Sequence, residues 1–132
     1  MEKSITQQGP SGCAVACVAQ LLNITYDRAI SLFKGGRIKE IYLGFYCKEI
    51  VTVLRKKGIN CNFRYISKEN ANKIYKNGTI VFIKRTKKYP QGHYLIRSNN
   101  SWMDPWINMP RMNPAKSGFR KKLPGKPVYA IF

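Results

Sequence analysis

The segment Gln7-Gln8-Gly9-Pro10-Ser11-Gly12-Cys13-Ala14-Val15-Ala16-Cys17 sets one cysteine, Cys13, at the mouth of a predicted helix. A thiol attacks as its thiolate, and unpaired N–H groups and the helix dipole favour negative charge at that position. The chain holds one histidine, His93, and two aspartates, Asp27 and Asp104, so the partners available for such a nucleophile are nearly fixed by composition. An aspartate that accepts from one imidazole nitrogen leaves the other nitrogen for the sulfur. Asp104 fits that orienting role, because it and His93 fall at the open end of a hairpin turning at Asn99-Asn100. Asp27, in the first turn of a predicted helix, reads as a partner of the helix dipole.

A developing oxyanion needs donors. The backbone N–H of Cys13 is one, Gly9-Pro10-Ser11-Gly12 lets the backbone approach a substrate, and a side-chain amide folding back from Gln7 is the second. Gln8 competes with Gln7 on spacing alone. Gly12, Trp102 and Trp106 are candidates for the wall of a substrate cleft, although ordinary core packing accounts equally well for the two tryptophans.

These residues need elements to hold them. An apolar run over 13–22, preceded by Ser11 as a cap and stopped by Asn23, predicts a central helix buried nearly all round. Thr25 caps a second helix through about Phe33, and Gly35-Gly36 breaks the chain. A third helix spans about 46–57, with Ile50, Val53 and Leu54 as its buried stripe and Gly58 as its end. From there the pattern turns to strands, over 60–66, 79–84, 93–97, 101–104 and 128–132, with a short helix after Ser67. Helices followed by antiparallel strands predict a single α+β domain over 1–132.

Cys17, Cys47 and Cys61 read as free, buried small hydrophobes. Their spacing argues neither for disulfides nor, with one histidine, for zinc, and no cofactor is implied. The net charge of +18, from 24 Lys and Arg against 6 Asp and Glu, calls for an acidic counterpart. No apolar stretch is long enough for a signal peptide or a membrane span, so a soluble domain is expected, delivered within a larger secreted protein if it acts in a target cell.

Gln7, five residues, Cys13 opening a small-residue helix, then Gly92-His93-Tyr94 and Asp104-Pro105 on successive strands resembles the papain-like cysteine peptidases. Within them it is similar to the bacteriocin-processing domains of ABC exporters that cut after a double-glycine leader. It departs from them in having Gly12-Cys13-Ala14 where they have Asp-Cys-Gly. The resemblance implies a papain-like fold with Cys13 as nucleophile, His93 as general base and acid, Asp104 as orienter and Gln7 in the oxyanion hole. It implies an amide bond as substrate, in a peptide or in a glutamine or asparagine side chain. Size and basicity are also similar to papain-like toxin domains of contact-dependent or polymorphic bacterial toxins, which an acidic immunity protein neutralises. The competing class is a basic nucleic-acid-binding module or nuclease toxin, with Phe63-Arg64-Tyr65 and Lys88-Tyr89 as interleaved contacts. Scarce acids argue against a metal-dependent nuclease.

Overall fold

The computed structural model describes residues 3–132; Met1 and Glu2, part of the expected domain, lie outside the described residues. Helix α1 (Cys13–Leu22) forms where the small-residue run predicts it, buried from Ala14 through Ala19. Asn23 ends it in the left-handed conformation (φ 56°), which a short polar side chain tolerates. Its N-cap is Gly12, with no side-chain cap, so the cap expected from Ser11 is corrected. The Ser11 hydroxyl is turned instead toward Gln91, 2.9 Å away.

Thr25 caps α2 (Tyr26–Ile30), its hydroxyl accepting from the Arg28 N–H, and the helix ends short of Phe33. Gly35-Gly36 does not merely break the chain, for Gly35 (φ 66°) opens an additional helix, α3 (Gly36–Tyr42). The third predicted helix is thus the fourth, α4 (Cys47–Lys56), where the Glu49 carboxylate accepts from the Tyr46 N–H to close the first turn. Ile50, Val53 and Leu54 form its buried stripe.

The strands are β1 (Phe63–Tyr65), β2 (Ile80–Ile83), β3 (His93–Ser98), β4 (Ser101–Asp104), β5 (Gly118–Arg120) and β6 (Pro127–Ile131). They form one open antiparallel sheet in the order β1-β6-β2-β3-β4-β5. A short 3-10 helix (Ala71–Tyr75) precedes β2. Strand β5 is not apparent in the sequence.

Strand alternation gives the sheet two apolar faces. Ile80, Tyr94, Ile96, Met103 and Ile131 join the helices in one core cluster, with α1 lying against β3. Val81, Ile83, Leu95, Trp102 and Ala130 point the other way and meet Ile74 and Tyr89 in a second. Because both faces are covered, β2 reads as a continuous apolar run rather than an alternating one. The architecture is α+β, helices first and sheet after. Among the described residues no helix is long and apolar enough to cross a membrane.

Candidate active site

Cys13 is the first residue of α1 and half-buried, with its side chain at the wall of a cleft of about 760 Å³. His93 opens β3 in the same wall. Gly92 turns the chain immediately before it (φ 73°), and a Cβ there would collide with the Phe82 ring.

The β3–β4 register pairs Arg97 with Trp102. Continued toward the open end of the hairpin, it sets Asp104 diagonal to His93 on one face. His93 Nε2 lies 2.7 Å from Asp104 Oδ1, with both side chains buried. That contact leaves Nδ1 for the thiol, and Cys13, on the same cleft wall, is among the groups that raise the ring's pKa. The sequence-derived trio is therefore brought together, Cys13 and His93 on one cleft wall and Asp104 bonded to His93.

The electrostatics follow from that grouping. Burial by itself pushes His93 toward the neutral form. The Asp104 hydrogen bond, together with the interactions with Cys13 and Asp104, outweighs it and raises the pKa from 6.5 to about 9. Burial likewise disfavours the Asp104 carboxylate. His93, Arg120 and the Trp106 N–H together hold it below its ordinary range. Cys17, Cys47 and Cys61 are pushed the other way, their thiols raised first of all by burial. All four cysteines are free.

Several supporting residues escape a sequence reading. Arg120, on β5, donates from Nε to Asp104 Oδ2 at 2.7 Å, so the carboxylate is held from both sides. The Trp106 N–H adds a third bond to Oδ1 at 3.0 Å. Tyr89 stacks flat on the imidazole, with centroids 5.0 Å apart and planes 10° from parallel. The one available signal was indirect: a buried aspartate facing a single imidazole has acceptor capacity left over.

The nucleophile loop is held by α3. The Ser11 N–H donates to the Glu40 carbonyl at 2.6 Å, and the buried Glu40 carboxylate accepts from the Tyr26 hydroxyl at 2.6 Å and from Arg37. Gly9 and Gly12 are required by this packing, since a Cβ on Gly9 would lie 2.6 Å from the Glu40 carbonyl oxygen and one on Gly12 would strike the Tyr26 hydroxyl. Ser11 bonding Gln91 ties the same loop to the segment leading into His93.

Of the remaining candidates, Gln7 is buried, with Nε2 donating to the Gly9 carbonyl at 2.9 Å and Oε1 unpartnered. Gln8 is exposed and its amide is taken up by Asp27 and Arg37. Asp27, expected to serve the helix dipole, has Arg37 as its ion-pair partner. Trp106 lines the cleft. Trp102 does not, and for it the core-packing alternative fits: two residues nearer the hairpin turn than Asp104, it is buried beneath Tyr75 and Arg97. Gly12 sits behind the wall as the helix cap, while Pro10, Ser11 and Cys13 line it. Cys47 is half-buried, and it too lines the cleft.

No protein-family model matches this sequence, and no curated protein does.

Proposed function

We propose that the chain is a papain-like cysteine hydrolase acting on an amide bond. The observation that carries this reading is the grouping of Cys13 and His93 on one cleft wall with Asp104 bonded to the ring, whose pKa is about 9. A histidine that stays protonated well above neutrality stabilises a neighbouring thiolate as an ion pair.

In this reading the Cys13 thiolate attacks the substrate carbonyl carbon and forms a C–S bond, and the carbonyl oxygen takes up the electron pair. The N–H of Cys13 and the second amide hydrogen of Gln7 receive that oxyanion. Collapse breaks the C–N bond. His93 gives its proton to the departing nitrogen, leaving a thioester on Cys13. Neutral His93 then takes a proton from water, whose oxygen attacks the thioester, and the acid leaves with Cys13 restored as thiolate. Asp104 keeps the ring aligned throughout and remains ionised. The net charge supports an acidic inhibitory partner, of the kind the toxin resemblance implies.

The test is thiol reactivity. Iodoacetamide near neutral pH is expected to label Cys13 at least about tenfold faster than Cys17, Cys47 or Cys61, whose thiols burial holds protonated. Equal labelling of all four, judged by peptide mass spectrometry, would overturn the reading.

A further inference from the structure

A second concavity, of about 820 Å³, shares no lining residue with the Cys13 cleft. Its walls come from the end of α4, the segment leading into β1, the 3-10 helix and the last residue of the chain. They include Arg55, Arg64, Lys73 and Lys76. Among the described residues none of these four cations is in an ion pair. Glu69, the acid closest in sequence, takes its hydrogen bonds from its own backbone and Ser67.

Four unpaired cations around one hollow repel one another, yet two are held in place. Arg55 Nε donates to the Cys61 carbonyl at 3.0 Å, which fixes the plane of its guanidinium and leaves its terminal nitrogens free. The Arg64 guanidinium lies over the Phe132 ring, 5.1 Å from its centroid. Asn60 and Asn62 add neutral amide donors to the lining.

We propose that this cup binds a compact ligand carrying several phosphate groups. One carboxylate would leave most of the charge uncompensated, whereas clustered phosphates match four cations, and planar guanidinium forks suit their oxygens. The volume is that of a small-molecule site rather than a track for a long strand. The site is independent of the chemistry at Cys13.

Calorimetric titration of the wild-type chain with inorganic tripolyphosphate at about 0.15 M salt is expected to show saturable one-to-one binding. The exposed pair Lys73→Gln and Lys76→Gln should weaken it by about tenfold or more, and Lys121→Gln with Lys122→Gln, an equal loss of charge elsewhere, by less than about twofold. Arg64→Gln added to the first pair should weaken it further. Absence of saturable binding, or equal weakening by both pairs, would overturn the proposal. So would a single-stranded oligonucleotide that binds more tightly than tripolyphosphate and loses affinity in the same variants, which would make the cup part of a nucleic-acid surface.

Discussion

The cleft and the cup handle charge in opposite ways. At the cleft, charge is buried and answered: Asp104 is wholly enclosed and meets His93 on one oxygen and Arg120 on the other. At the cup, charge is exposed and no side-chain carboxylate answers it, the four cations converging without an Asp or Glu in the lining. A buried charge must find partners within the fold, because leaving it unpaired costs several kcal/mol. An exposed cluster is tolerated because water and salt screen it, so it can be kept for something outside the chain. The cleft is therefore organised by folding, and the cup awaits an ion.

The sharpest way to break this contrast is Asp104→Asn. The variant keeps the shape but removes the charge that His93 and Arg120 both face, so two buried or half-buried cations lose their counterion. Stability in urea is expected to fall by about 3–5 kcal/mol, and Cys13 labelling to slow by about 100-fold or more. An unfolding midpoint equal to that of the wild type would show that the carboxylate does not organise the cleft. Arg120→Gln tests the same carboxylate from its other side, with a smaller effect of about tenfold on labelling.

The next effect is on proton binding, and the lone histidine makes it directly readable. The Hε1 resonance of His93 should titrate with a midpoint at about 9 in the wild type and move down in Asp104→Asn and in Cys13→Ala, each of which removes one source of the upward shift. The sign for stability follows. A folded pKa of about 9 lies above the ordinary 6.5, so the contribution is fully present below about pH 6.5 and is lost as pH rises through about 9. A wild-type midpoint at or below 6.5 would mean that burial, not the two partners, governs the ring.

The two regions also differ in what their sequences disclose. Cys13, His93 and Asp104 are legible because rare residue types sit at element ends that local rules mark: a small-residue helix, a glycine turn and an Asn-Asn hairpin. Arg120 is not, since β5 is three residues long and its pairing with β4 is long-range. Helix α3 hides for a different reason. Its buried residues are Gly36 and Glu40, while Ile38, Ile41 and Tyr42 face outward, so the periodicity that normally marks a core-facing helix is inverted. The fold can bury Glu40 because Tyr26 and Arg37 reach it; Arg37 is a local i,i+3 neighbour, but the Tyr26 contact has no local sequence signature. The cup is assembled from four separated segments, and only the net charge hints that cations must gather somewhere.

The smallest effect concerns the cup without any ligand. If its cations are held together against their repulsion, Lys73→Gln with Lys76→Gln should raise the thermal midpoint by about 1–2 °C, even as it weakens tripolyphosphate binding. Because exposed charges are screened, the gain should be largest at low salt and fade as salt is added. Asp104→Asn should behave differently, its loss persisting across the same salt range because solvent does not reach the pair. A stabilising substitution that weakens binding is the expected signature of residues retained for a partner rather than for the fold. A fall in the midpoint at low salt would instead place these lysines among the groups that hold the sheet edge together, and the contrast with the cleft would disappear.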